Sequence, residues 1–175
     1  KREETNNLVR SLKGFAPEPQ VGDKVISLKN EWDFFSLQGN PLTNGSIGVI
    51  KEMNKRIEWV PRYISNSSIE FLDLNLTLED DDIILGAPAD YKLLATGKKA
   101  LSPRQEYQMN CSKMLPDAPF EFTYGYAITT HKAQGSEWNK VLVFEERFPF
   151  EKEEHARWLY TACTRASEKL VIVKK

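Results

Sequence analysis

Tyr126-Ala-Ile-Thr-Thr-His-Lys-Ala-Gln-Gly-Ser-Glu137 is the stretch on which the reading of this chain turns. It places two hydroxyls, an imidazole, an ammonium and an amide within a few residues, then a glycine and a carboxylate. Hydroxyl, imidazole and amide groups hydrogen-bond phosphate and sugar oxygens, and an ammonium neutralises phosphate. A glycine lets backbone N–H groups come close to a ligand. A carboxylate just beyond it suits a ribose hydroxyl. The first half of the segment has the chemistry to touch a nucleic acid and the second half the chemistry to touch a nucleotide. Downstream, Val141-Leu-Val-Phe144 is short and fully apolar, as in a buried parallel strand. Glu151 to Arg165 has helical periodicity and opens with Glu151, Glu153 and Glu154, which suit a helix N-terminus. Ala156, Leu159, Tyr160 and Cys163 are its expected buried face. Lys169-Leu-Val-Ile-Val173 is a further buried strand. Strand, helix and strand with short connections predict a βαβ unit and a parallel sheet.

Two blocks carry a resemblance. Thr129-Thr-His-Lys-Ala-Gln-Gly-Ser-Glu137 resembles motif V of superfamily 1 DNA helicases of the RecD and Dda branch. Trp158-Leu-Tyr-Thr-Ala-Cys-Thr-Arg-Ala166 resembles motif VI of the same family. The order of the blocks and the strands around them strengthen the likeness, which is close over the last third of the chain. It implies an α/β fold: a RecA-like (P-loop NTPase-type) parallel sheet domain lacking the P-loop, with a small inserted all-β SH3-like barrel. Residues 1–20 and 120–175 would form the second motor domain, and residues 21–119 the insert with its return connection.

The resemblance also implies roles, position by position. Thr129 and His131 match a contact to the single-stranded DNA backbone, and Lys132 would neutralise a phosphate. Gln134 and Gly135 match the turn beside the nucleotide, and Glu137 the carboxylate facing its sugar. Arg165 matches an arginine finger. Arginine stays charged and presents a rigid donor fork, and such fingers contribute on the order of 10³–10⁵ in rate. Taken alone, an arginine at a helix end satisfies helix carbonyls, a lone histidine or glutamate is usually solvated, and Lys132 needs no partner; the motif context favours the functional roles. Asn7-Leu-Val-Arg10 resembles the tail of the family's motif IV region. The implied cofactors are ATP and Mg²⁺. The implied partners are single-stranded DNA, an N-terminal RecA-like domain of the same parent chain, and a replication or recombination protein. The implied setting is the cytoplasm of a bacterial or phage-infected cell.

The rest of the chain sets bounds. Its 175 residues carry 24 Lys and Arg against 25 Asp and Glu, a net charge of -1, so a wholesale basic nucleic-acid binder is excluded and any DNA contact is a local stripe. No apolar run reaches the ~20 residues of a membrane-spanning helix. Cys111 and Cys163 lack metal-ligand spacing and read as free thiols of a reducing compartment. The chain opens at Lys1 inside a predicted helix, Glu3 to Lys13, with Leu8, Val9 and Leu12 on one face, as expected of a piece of a longer protein. Val21 to Leu28 and Ser46 to Ile50 are predicted strands, with Asn44-Gly45 a turn signal between them. Trp32, Phe34 and Phe35 fit a barrel core, or packing against the motor domain, better than a base-stacking surface. Arg56 to Ile69 has mixed character with a turn at Asn66-Ser-Ser68, and Ile69 to Leu76 is strand-like. Glu79-Asp-Asp-Asp82 reads as a solvated turn. Thr96 to Arg104 reads as a basic loop holding Lys98, Lys99 and Arg104, and Gln105 to Phe120 as an irregular return.

The sequence contains no Gly-x-x-x-x-Gly-Lys-[Ser/Thr] and no acidic strand suited to hold Mg²⁺. The fragment alone is therefore expected to be inactive, with both features on a preceding domain. Two rival readings are a non-catalytic nucleic-acid-binding module on a helicase-like scaffold, and the helicase subunit of an exonuclease complex.

Overall fold

The computed structural model of the chain describes residues 2–64, 67–112, 116–145 and 151–174. They form two compact units, Lys1–Ala127 and Ile128–Lys175. The fold is mixed α/β with a mainly antiparallel sheet.

The first unit opens with α1 (Arg2–Leu12), whose acidic first turn (Glu3, Glu4) and basic last turn (Arg10) complement the helix dipole. Its buried side is not the expected apolar stripe. Leu8 and Leu12 are 59% and 79% exposed, while Asn6 and Arg10 are buried. The reason is satisfaction of polar groups. Arg10 grips Asp23 with two bonds, Nε to Oδ1 at 2.8 Å and Nη2 to Oδ2 at 2.9 Å. It also donates to the carbonyls of Pro17 and Glu18 and lies 4.0 Å over the ring of Tyr124. Asn6 donates to the Tyr124 carbonyl at 3.0 Å and accepts from the Ala127 N–H at 2.6 Å.

Next come β1 (Lys24–Ser27), a small hairpin of β2 (Glu31–Phe35) and β3 (Pro41–Leu42), and the long strands β4 (Ile47–Val60), β5 (Ser67–Leu78) and β6 (Ile83–Asp90). Two short helices follow, α2 (Tyr91–Thr96) and α3 (Pro103–Asn110), then β7 (Phe122–Tyr124). The sheet order is β6-β5-β4-β1-β7, every neighbour antiparallel. The turn expected at Asn44-Gly45 is present, with Gly45 at φ +99° leading into β4. The core gathers Val25, Ile50, Leu74, Leu76, Ile84 and Phe122. Each such apolar side chain contributes about 1.5–3 kcal/mol relative to exposure. Val60, Ile64, Phe71, Leu101 and Met109 form a second cluster under α3.

Several expectations for this unit are corrected. Of the three aromatics expected in a barrel core or against the motor domain, Phe34 packs edge-on against Phe120 at 5.0 Å, but Trp32 and Phe35 are not in the core, at 62% and 56% exposed. Arg56 to Ile69 is not irregular: β4 continues to Val60 and pairs with β5 from Ser67 onward. Ser67 and Ser68 belong to β5, and Asn66, of the expected turn, lies outside the described residues. Asp82 is not solvated. It is buried and accepts from the Gln38 N–H, the Asn40 amide and its neighbour Ile83 N–H. Burial pushes its pKa up, but bonds from Ser36, Asn40 and two backbone N–H groups outweigh this and hold it below the usual range. The basic loop is ordered by acids: Lys99 meets Glu121 at 2.5 Å and Glu106 at 3.4 Å, and Arg104 lies in α3. The irregular return contains α3, started by Pro103 at its first position and by Gln105 accepting from the Ser102 N–H.

The second unit contains α4 (Thr130–Ala133), β8 (Trp138–Glu145), α5 (Lys152–Cys163) and β9 (Ala166–Lys174). β8 and β9 pair in parallel, with α5 between them in the chain. The apolar strand residues are not fully buried as expected. Val143 is buried, but Leu142, Phe144, Val171 and Val173 are 43–53% exposed, because this sheet has two strands among the described residues. The packed side of α5 matches its expected face only in part: Leu159 and Cys163 are half-buried as expected, together with His155 and Trp158, and Ala162 is buried, while Ala156 is exposed and Tyr160 is 72% exposed.

Candidate functional site

All seven residues singled out by sequence lie in the second unit, on two segments. The first is α4 and the turn after it. Thr129 caps the helix, its hydroxyl accepting from the Lys132 N–H at 3.4 Å and its carbonyl from the Ala133 N–H at 3.0 Å. Ala133 is buried and anchors the helix. Gln134 is extended, and the chain then reverses at Gly135, φ +91°, with no atom within 4 Å of the place a Cβ would occupy. Glycine is needed there for the backbone angle and not for space. The Ser136 N–H closes the turn on the Ala133 carbonyl at 3.2 Å. Thr129, His131, Gln134, Gly135 and Glu137 are exposed, and Lys132 is half-buried.

The second segment is the end of α5. Arg165 follows two residues after the helix. Its Nε donates to the Thr161 carbonyl at 3.1 Å, Nη1 to the Ser136 carbonyl at 3.1 Å, and Nη2 to the Thr164 hydroxyl at 3.0 Å. Its carbonyl accepts from the Trp138 N–H at 2.9 Å, the first rung of the parallel pair. The structure therefore brings Arg165 against the turn of Gln134, Gly135 and Glu137. Thr129 caps α4 and His131 and Lys132 lie within it, a helix only about 6 Å long.

Arg165 and the turn lie at the N-terminal edge of β8 and β9. At the opposite edge, His155 Nε2 meets Glu145 Oε1 at 2.9 Å, and the ring of His155 stacks on Trp158 with centroids 5.8 Å apart. The bond from His155 chiefly, and the Lys174 ammonium, hold the Glu145 carboxyl below its usual range against a smaller burial effect. This pair ties α5 to the far end of β8. Sequence reasoning did not single out His155, Glu145 or Ser136. Ser136 acts through its carbonyl, which every residue has, and the His155–Glu145 pair joins positions ten apart with no motif around them.

Among the described residues, no group of three or more His, Cys, Asp or Glu is arranged to hold a metal ion, and no helix is long and apolar enough to cross a membrane. Arg10, the other motif-like arginine, has its guanidinium engaged inside the first unit by Asp23, Pro17 and Glu18.

Comparisons with known proteins add the following. Residues 124–173 match the model of the UvrD-like helicase C-terminal domain. No curated protein matches the chain. Among solved structures, the chain is similar to the Pif1 helicase from Candida albicans, at 18% identity and a TM-score of 0.44 over 88% of this chain and 31% of that one. It is also similar to the Pif1 helicase from Bacteroides in complex with ADP-AlF3 and ssDNA, at 17% identity and a TM-score of 0.44 over 89% of this chain and 29% of that one. The chain thus spans under a third of the length of these structures.

Proposed function

We propose that this chain is the second RecA-like motor domain of a superfamily 1 DNA helicase, completing the ATP site of a neighbouring domain and gripping single-stranded DNA. On this reading residues 1–20 and 120–175 belong to the motor domain and residues 21–119 are its inserted barrel. The nearness of the insert's two ends supports this: β1 pairs with β7, and α1 holds both, through Arg10 to Asp23 and through Asn6 to Tyr124 and Ala127. An insertion needs its entry and exit side by side. The family match over residues 124–173 is the second support.

The observation that carries the reading is the meeting of Arg165 with the Gly135 turn at the N-terminal edge of the parallel strands. Open α/β sheets bind their own ligands at the C-terminal edge. A charged fork at the other edge suits a nucleotide held by another domain. There Arg165 would meet the charge that develops on the transferring phosphoryl group, and Gln134, Gly135 and Glu137 would face base or sugar. ATP supplies that phosphoryl group, and the ligands for Mg²⁺ would come from the domain bearing the P-loop. Thr129, His131 and Lys132 would touch the DNA backbone. The one-turn helix α4, which carries His131 and Lys132 and runs into the Gly135 turn, would pass a shift at the nucleotide to the DNA contacts.

One observation favours the rival, a non-catalytic binding module. Three Arg165 nitrogens already donate to Thr161, Ser136 and Thr164, as they would in a purely structural cap. The two readings separate on DNA-stimulated ATP hydrolysis by the intact parent protein. The finger reading expects turnover in the wild type and a loss on the order of 10³-fold or more in Arg165→Ala, with ATP still bound. Turnover near wild type in the variant, or DNA binding with no hydrolysis in the wild type, would leave the rival standing.

A further inference from the structure

β4 is the longest strand, and its outer edge is covered for only a third of its length. β1 pairs with Ile47–Val49, and the backbone of Ile50 is taken by Gly22 at 2.8 Å and Asp23 at 2.9 Å. From Lys51 to Val60 the strand pairs with β5 on one side, and no described residue pairs with it on the other. In an antiparallel strand alternate residues turn both N–H and C=O outward, so about five residues present unpaired backbone along this edge. Edges are usually blunted by proline, bulges, short length or charged side chains. The charges here are of both signs, Lys51, Lys55 and Arg56 with Glu52 and Glu58, so they oppose a second copy only in registers that set like charges together. The edge beyond the bulge near Lys51 has no proline, and Ile57 and Trp59 on it are 64% and 65% exposed.

The segment Lys55-Arg56-Ile57-Glu58-Trp59 is complementary to itself about Ile57. Lys55, Ile57 and Trp59 share one face of the strand, and Arg56 and Glu58 the other. We propose that this edge pairs with the same edge of a second copy, antiparallel, across a two-fold axis through Ile57. In that register Arg56 faces Glu58 of the second copy, twice over by symmetry. Lys55 faces the second copy's Trp59, a cation–π pairing, and Ile57 faces itself. An axis through Lys55, Arg56 or Glu58 instead would set that residue's charge against its own copy.

The side chains are already held for this. Lys55 bonds Glu70 at 2.9 Å, and Arg56 bonds Asp73 at 2.9 Å and Glu58 at 2.6 Å. The Arg56 and Glu58 contacts lie on the β5 side or along the strand, so a second copy adds a partner to each. Lys55 also lies 3.6 Å over the ring of Tyr91, and its pairing with the second copy's Trp59 would replace its contacts to Glu70 and Tyr91. Two strand edges bury less than a standard interface, so the dimer is weak and forms with rising concentration. The motor-domain reading plays no part in this argument.

The test is a self-crosslink in the full-length protein with Cys111 and Cys163 replaced by serine. Ile57→Cys brings two thiols face to face across the axis, where opposed strand positions lie about 4.5–5.5 Å apart, within disulfide reach. Met53→Cys is the control, because this register holds its two copies roughly 26 Å apart. The expected result is a disulfide dimer that forms at least tenfold faster for Ile57→Cys. Sedimentation of the wild type should show mass rising with concentration, and Ile57→Lys should abolish the rise. Ile57 is exposed, so neither variant threatens folding, and circular dichroism checks this. Equal crosslinking at 53 and 57, or a wild type monomeric throughout, would overturn the proposal.

Discussion

The two units differ in how far they complete themselves. In the first, β5 carries buried residues along most of its length, and Ile50, Leu74, Ile84 and Phe71 are sealed from solvent. In the second, only Ala133, Val143 and Ala162 are buried among the described residues, and the apolar strands of β8 and β9 remain about half exposed. Yet the second unit carries the motif residues. The part of the chain that carries the motif residues is the part with the fewest buried side chains among the described residues.

The largest expected effect that would break this contrast is at the foot of the first unit. Asp23→Ala leaves the Arg10 guanidinium buried without its carboxylate and is expected to cost roughly 3–5 kcal/mol. Denaturant midpoints of the intact chain measure it. Replacing both residues by apolar ones of similar volume should recover most of the loss; no recovery would mean that the pair is more than a mutual neutralisation. A direct comparison comes next. Leu74→Ala in the first unit is expected to cost roughly 2–5 kcal/mol, and Leu142→Ala in the second about 0.5 kcal/mol or less. Equal costs would show that Leu142 is as deeply packed as Leu74.

These contrasts also show what was legible in the sequence. The strands of the first unit announced themselves where alternation was clean, as in Ile69 to Leu76, and by turn chemistry at Asn44-Gly45. Hidden was whatever rests on polar satisfaction. Asn6, Arg10 and Asp82 are buried because partners 13 to 121 residues away complete their bonds. No hydropathy pattern records such partners, so α1 was assigned the wrong face and Asp82 the wrong environment. The face of α5 was legible only in part, for a related reason. His155 is polar and stands outside the apolar face, yet it packs by pairing with Glu145 and stacking on Trp158. In the second unit the motif blocks placed a short helix, a glycine turn and a terminal arginine in one region, and the geometry brings the last two together.

The smallest expected effect concerns acid. The folded pKa of Asp82 is held below its ordinary value, so its contribution to stability is complete above that ordinary value and is lost as pH falls through the folded one. Asp82→Asn should therefore destabilise the chain at neutral pH, and the gap to wild type should narrow on acidification below about pH 4. Urea midpoints against pH measure this, and a gap that stays constant would show that the carboxylate's charge does not matter.

Gly135 makes a demand that differs from the usual one on a glycine. Its φ of +91° with open space around the missing Cβ is a demand for handedness, not for smallness. An L-alanine would be strained there, but its mirror image has positive φ as its natural choice. A semisynthetic chain with D-alanine at 135 would keep the turn, lose less freedom on folding, and gain on the order of 0.4–1 kcal/mol. The bend before β8 would then be locked by stereochemistry alone.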